Sequence, residues 1–519
     1  VSSEENAEIM STQRVYNAAI DMVDQNVAQG RGAKTAFIDP ARRITYQELA
    51  DGCARVAPML ARLGLGREDR IAMIMLDTVD FPVLFWGAIR AGIIPVPLNT
   101  LLVAEQYRYI LEDSRAKVLF VSAPLLAVAL EAAAGIASLK TIVVVGDSLH
   151  ALPHFDTLLS AEATGAEPVQ TSADEVAFWL YSSGSTGMPK GVRHVHSSAM
   201  ETARLYAQAV LGIREDDVVY SAAKLFFAYG LGNGMSFPMS VGATAVLLPD
   251  RPTPQAVFAV LKREQPTIYY GVPTLYAAMI ADASCTKENG SARLRMCVSA
   301  GEALPEHIGL EWKRRFGVDI HDGVGSTEML HIFLGNYPGK MRYGTSGVPI
   351  PGYEARLIDD NGREVPEGEI GELSIRGPTA ADGYWNQREK TRRTFEGEWT
   401  RTGDKYVREP DGFYRICGRT DDMFKVSGQW VSPYEVEAAL ITHPRVMEAA
   451  VVPKEDEDGL LKPKAYIVLK GVGAAPTENE LQEHVKTQVG PWKYPRWIEI
   501  VEGLPKTATG KIQRFKLRD

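Results

Sequence analysis

Between about residues 35 and 248, short β-branched runs alternate with longer helical patterns, and that rhythm predicts an α/β fold with mainly parallel sheets. From about 344 to 418 the texture changes to closely spaced strands broken by the turn signals DDNG at 359–362, PEG at 366–368 and PDG at 410–412, which predicts a β-rich subdomain. After GRTDD at 418–422 comes a stretch of roughly a hundred residues with its own strands and helices, enough for a compact α+β module. The expected architecture is a large N-terminal domain of layered α/β subdomains plus the β-rich subdomain over 1–420, and a small α+β C-terminal domain over 421–519.

The runs at 70–75 (RIAMIM), 117–121 (KVLFV) and 141–145 (TIVVV) read as strands of the first α/β layer. The most membrane-like stretch, 118–139, contains Pro124 and Glu131 and reads as a strand followed by an alanine-rich helix, so no membrane span is expected. At 519 residues, 45% apolar and 23% charged, the chain has the balance of a globular protein with a large core. Its net charge of −9 disfavours nucleic acid, which calls for a concentrated positive surface. Four scattered cysteines, Cys53, Cys285, Cys297 and Cys417, form no C-x-x-C pair and suggest neither a thiolate metal site nor a disulfide framework. The first residues lack the basic-then-apolar order of a secretory signal, and a cytoplasmic location is expected. No repeat of solenoid period is present.

The strongest local signal is 181–191, YSSGSTGMPKG, directly after the apolar run 176–180. Its glycines let backbone approach a polyanion, the hydroxyls of Ser182, Ser183, Ser185 and Thr186 add donors around Gly184 and Gly187, and Lys190 adds charge. Composition alone would also permit a flexible linker. A Walker A loop is excluded, because Gly191 follows the lysine where Ser or Thr is required.

This string resembles the signature loop of the adenylate-forming superfamily of acyl-CoA synthetases, luciferases and peptide-synthetase adenylation domains. The resemblance continues in order from TYQEL at 45–49 to PKTATGK at 505–511. It implies an AMP-forming acid:CoA ligase using ATP, Mg2+ and coenzyme A. In DGVGSTE at 322–328, it implies that Thr327 binds the α-phosphate and Glu328 holds Mg2+, with Asp322, Gly323 and Val324 beside the adenine. Many members carry an aromatic residue where this chain has Val324. Gly301, Glu302 and Ala303, in SAGEA at 299–303, resemble the companion adenine-binding strand end. In WTRTGD at 399–404, Asp404 matches the acceptor of the ribose hydroxyls, a charge-assisted contact, and Arg419 the second ribose contact.

The segment 421–437 resembles the family's hinge and thioester-forming loop. It implies a hinge at Asp421, with Lys425, Ser427 and Gly428 approaching the thiol of coenzyme A. Lys511 falls where the family carries its adenylation lysine; outside the resemblance it reads as a surface lysine. Because Lys511 and the 425–428 loop serve different steps at one carbonyl, the resemblance implies a mobile C-terminal domain that alternates between two poses.

By the same resemblance the acid pocket takes Phe227, Ala228, Tyr229 and Gly230, then Ser299, Ala300, Gly325, His331 and Ile332. Apolar walls with few fixed charges suit a small aryl acid. Ala228 stands where amino-acid-activating relatives usually place an Asp near this position, which argues against an amino acid. The pattern around 325–331 looks most like benzoate-CoA ligases. Cyclohexanecarboxylate, fatty acids, 4-hydroxybenzoate, or a carrier protein as acceptor remain as alternatives. His331 is either a hydrogen-bonding partner of a ring substituent or a core histidine. The partners expected are the acid, ATP and coenzyme A, in a monomer or homodimer.

Overall fold

The computed structural model describes residues 15–182, 188–420, 422–426, 429–457, 460–471, 473–490, 493–506 and 512–518, with backbone only at 425, 429 and 430. The chain divides into two compact units, one of residues 1–355 and 375–400, the other of 356–374 and 401–519.

The first unit contains a nine-stranded sheet. Its centre is parallel, in the order Ile320–Gly325, Met296–Ala300, Ile268–Gly271, Val218–Ser221, Thr244–Val246, Thr35–Ile38. Antiparallel strands close both edges, Ile332–Gly335 and Val348–Pro349 at one and Arg43–Thr45 at the other. The inner strands are buried on both faces, as parallel strands flanked by helices must be. Tyr269, Tyr276, Trp312 and Leu261 anchor the core on one face, all without solvent exposure.

A second, four-stranded parallel sheet runs Ile94–Pro97, Arg70–Ile74, Val118–Ser122, Thr141–Val145. Thus the apolar stretch at 118–139 is a strand, a short 3-10 turn at Ala123–Leu125 and the helix Leu126–Ala133, as its composition predicts. The helix Tyr46–Arg62 starts at a capping box in which Thr45 and Glu48 satisfy each other's backbone donors. A three-stranded antiparallel sheet of Val176–Ser182, Lys190–Val195 and Gly383–Tyr384 carries the candidate site. Among the described residues, no helix is long and apolar enough to cross a membrane.

In the second unit, the strands Trp399–Arg408 and Tyr414–Arg419 pair antiparallel from Asp404↔Arg419 to Arg408↔Tyr414. Further along, Val446–Glu455, Leu461–Leu469 and Trp497–Ile500 form a sheet with the helices Pro433–Ile441 and Glu478–Val489 around Val451, Ile467 and Val485. This is the α+β texture read from the sequence.

Candidate active site

The strand Val176–Ser182 brings the chain to the glycine-rich segment, and Lys190–Val195 returns antiparallel beside it with Ser182 opposite Lys190. Ser183, Gly184, Ser185, Thr186 and Gly187 lie outside the described residues. Lys190 points into a largely buried polar cluster. Its Nζ lies 2.9 Å from Glu328 Oε1 and donates to the Tyr384 hydroxyl at 2.7 Å. That hydroxyl donates in turn to Glu328 Oε1 at 2.8 Å. Burial pushes the Glu328 carboxyl up, but the Lys190 charge and the hydrogen bonds from Lys190 and Tyr384 outweigh it and hold the pKa below the ordinary value. Glu328 therefore stays ionised in a site where an isolated carboxylate would not.

Glu328 sits in the turn that links Ile320–Gly325 to Ile332–Gly335, together with Thr327. The Ser326 hydroxyl accepts from Met329 N at 3.2 Å, and Ala381 N donates to the Glu328 carbonyl at 2.8 Å. Leu330 takes φ +66°, a left-handed conformation that costs a leucine energy and is over-determined here by its buried side chain. Gly325 faces His331 so closely that a Cβ would fall 2.4 Å from the His331 carbonyl oxygen. Only glycine permits this approach.

Asp322, Gly323 and Val324 occupy the preceding strand, with Ser299 opposite Asp322 and Ala300 opposite Gly323. Asp322 is buried, its Oδ2 accepts from Leu304 N at 3.3 Å, and its Oδ1 has no partner. Burial, only partly offset by the Leu304 N–H and by Ser299, raises its pKa to about 8. Gly301 and Glu302, just beyond, are exposed, and Ala303 is half-buried.

Ile332 pairs with Gly325, and His331 packs among the rings of Tyr206, Tyr229 and Phe237 at centroid distances of 5.4, 5.5 and 4.5 Å. Its Nε2 lies 3.3 Å from the Tyr229 carbonyl and 3.1 Å from Asn233 Oδ1, which assigns the ring proton to Nε2. Nδ1 has no partner. Burial lowers the pKa to about 3, so the ring is neutral. Of the two sequence readings, the packing and the Nε2 contacts are those of a core histidine, while Nδ1 keeps an unused acceptor.

Phe227, Ala228 and Tyr229 are half-buried, Gly230 is buried, and the Tyr229 hydroxyl donates to the Gly271 carbonyl at 3.2 Å. Two residues that the sequence did not signal hold this segment. Leu225 N donates to both carboxyl oxygens of Asp77, each at 3.3 Å, and Lys224 Nζ donates to the Asp250 carbonyl at 2.7 Å. Burial raises the Asp77 pKa to about 6, against the pull of Lys224. Tyr384 is the third residue missed.

The second unit supplies its own ion pair: Arg419 Nη1 donates to Asp404 Oδ1 at 2.8 Å across adjacent strands. Lys425 lies on the short strand Phe424–Val426, while Asp421, Ser427, Gly428 and Lys511 lie outside the described residues. Among the described residues, no group of three or more His, Cys, Asp or Glu gathers as a metal cage. The donor set around Glu328 fits Mg2+, which is held by one or two carboxylates plus substrate phosphates.

A lysine and an ionised glutamate thus meet beside the end of the strand that leads into the glycine-rich segment, on a layered α/β frame, an arrangement suited to gripping a nucleotide's phosphates and their metal. The chain belongs to the AMP-binding enzyme family, matching its description over residues 24–385 and that of the AMP-binding enzyme C-terminal domain over 435–511. It is 60% identical to a 4-hydroxybenzoate-CoA/benzoate-CoA ligase of Rhodopseudomonas palustris, over 98% of this chain and 94% of that one. It is 56% identical to a benzoate-CoA ligase of Thauera aromatica, over 97% and 96%. Among solved structures it is similar to a benzoate CoA ligase from Burkholderia xenovorans, at TM-score 0.89 and 49% identity over 97% of this chain and all of that one.

Proposed function

We propose that this chain is an AMP-forming acid:CoA ligase, cytoplasmic and acting as a monomer or homodimer, whose substrate is benzoate or a closely related small aryl carboxylate. The observation that carries the reading is the largely buried pair of Glu328 with Lys190, which directly follows the glycine-rich segment, with an aromatic cluster of Tyr206, Tyr229 and Phe237 around His331 in the same unit. The full-length likeness to ligases named for benzoate and 4-hydroxybenzoate supports the choice of acid.

In the first half-reaction a carboxylate oxygen attacks the α-phosphorus of ATP, forming the acyl-adenylate as pyrophosphate leaves. Ser182 to Gly187 and Lys190 grip the phosphates, Thr327 holds the α-phosphate, and Glu328 holds Mg2+. When bound, Mg2+ neutralises phosphate oxygens that would otherwise repel the carboxylate. Asp322, Gly323, Val324 and Gly301 to Ala303 receive the adenine, while Asp404 and Arg419 serve the ribose hydroxyls. Phe227 to Gly230, Ser299, Ala300, Gly325, His331 and Ile332 enclose the acyl group. Lys511 orients the carboxylate against the α-phosphate.

In the second half-reaction the thiol sulfur of coenzyme A attacks the acyl carbonyl and AMP leaves. Residues 421–519 act as a lid that turns about Asp421, withdrawing Lys511 and presenting Lys425, Ser427 and Gly428. Pyrophosphate release with ATP and Mg2+ is the test, over benzoate, hydroxybenzoates, cyclohexanecarboxylate, fatty acids and amino acids. Benzoate-type acids give the highest kcat/KM, with AMP turnover dependent on coenzyme A; preference for aliphatic acids, or indifference to coenzyme A, would overturn the assignment.

A further inference from the structure

Tyr384 lies on a two-residue strand whose partner is the strand that begins at Lys190, with Tyr384 opposite Val192. Its position is tightly fixed. The residue is buried, its N–H donates to Thr391 Oγ1 at 3.1 Å, and its ring packs on Phe395 at 5.5 Å between centroids. The next residue is pinned as well: Trp385 N donates to the Gly191 carbonyl and its Nε1 to the Asp113 carbonyl, both at 2.8 Å. The hydroxyl at the end of this rigid arm meets Lys190 Nζ at 2.7 Å, Glu328 Oε1 at 2.8 Å and Thr394 Oγ1 at 3.4 Å.

The ring and the hydroxyl thus have separate work. The ring packs on Phe395 and lies under Lys190 Nζ, 4.0 Å from its centroid, and phenylalanine would keep both contacts. The hydroxyl joins the two residues to which the ligase reading gives the phosphates and the metal. A lysine cannot serve both for long, because a triphosphate carries more charge than one carboxylate and draws the ammonium towards itself. A phenol is neutral, does not compete with a cation for the phosphates, and can keep donating to the carboxylate.

We propose that Tyr384 is a positioning residue for adenylation: its hydroxyl holds the Glu328 carboxylate in one orientation for the Mg2+ of the bound nucleotide while Lys190 engages the phosphates. The proposal rests on the acid:CoA ligase reading. Loss of an outer partner of a metal ligand typically weakens the metal by about 10-fold or more.

The test is Tyr384→Phe in the full chain. Binding of Mn2+ in the presence of α,β-methylene ATP, followed by the loss of the free-ion electron paramagnetic resonance signal, weakens about 10-fold. The Mg2+ concentration that half-activates benzoate-dependent pyrophosphate exchange rises to match, while the KM for benzoate holds. Thioester formation from supplied benzoyl-adenylate also holds, since no pyrophosphate is displaced in that step. Phe395→Leu, which loosens the same ring and leaves the hydroxyl, keeps the wild-type Mn2+ affinity. Wild-type Mn2+ affinity in Tyr384→Phe overturns the assignment, and so does an equal loss in Phe395→Leu, which would make the role one of packing. Absence of benzoate-dependent exchange in the wild-type chain would instead overturn the ligase reading, and this proposal with it.

Discussion

Replacing Asp322 by Asn isolates the cost of a buried carboxyl. In the folded chain this group titrates at about 8, against an ordinary value of 3.8, because burial disfavours its anion and one Oδ1 lacks a partner. Between those two values the folded chain holds a proton that the unfolded chain has lost. Stability therefore falls as pH rises through the window, by about 1.4 kcal/mol per pH unit for one proton. Asparagine has the shape and neutrality that the folded carboxyl already has at pH 7, and it does not titrate. From pH 5 to pH 7, Asp322→Asn should gain on the order of 3 kcal/mol on the wild type, and the gain should level off above about pH 8. The assay is urea denaturation of both chains at matched pH, followed by tryptophan fluorescence, with Trp312 in the core beside the same sheet. Comparing the two chains cancels every other titrating group. A difference that stays flat from pH 5 to pH 8 would refute the reasoning and mean that the carboxyl is ionised in the fold.

Three further outcomes are expected. Glu328→Gln keeps the shape of the side chain but removes the charge beside Lys190, and should reduce benzoate-dependent pyrophosphate release by about 100-fold or more with the melting temperature little changed, as read by release kinetics over a Mg2+ series. Gly325→Ala places a methyl group 2.4 Å from the His331 carbonyl, and the backbone shift it forces should cost about 1–3 kcal/mol in denaturation and raise the KM for the acid. Lys511→Ala should abolish pyrophosphate release yet spare thioester formation from supplied benzoyl-adenylate; equal loss of both steps, measured by chromatography of the thioester, would count against separate poses of the lid.

Residues whose chemistry is concentrated in a short string were legible in the sequence. Lys190 announces itself after four side-chain hydroxyls of Ser and Thr and two glycines within 181–190, and Glu328 after a glycine-rich strand end. The alternation of β-branched runs likewise foretold parallel layers, since strands buried on both faces must be apolar throughout. What the sequence hid are residues that meet the site only through the fold. Tyr384 is 194 positions from Lys190 and lies on a strand too short to leave a periodicity. Asp77 reaches Leu225 across 148 positions, and nothing local distinguishes it from a solvated aspartate. The order of the large sheet was hidden for the same reason, since Thr35–Ile38 finds its parallel partner only at Thr244–Val246. His331 could not be resolved from sequence because its tautomer depends on Tyr229 and Asn233, which are close only in space.

The central claim is that an aryl carboxylate is activated as its adenylate before the thiol attacks. Benzoate labelled with 18O in both carboxylate oxygens, incubated with ATP, Mg2+, coenzyme A and the chain, tests it by mass spectrometry of the products. The account predicts benzoyl-CoA together with AMP carrying one 18O atom; unlabelled AMP, or label appearing in inorganic phosphate alongside ADP, would contradict it.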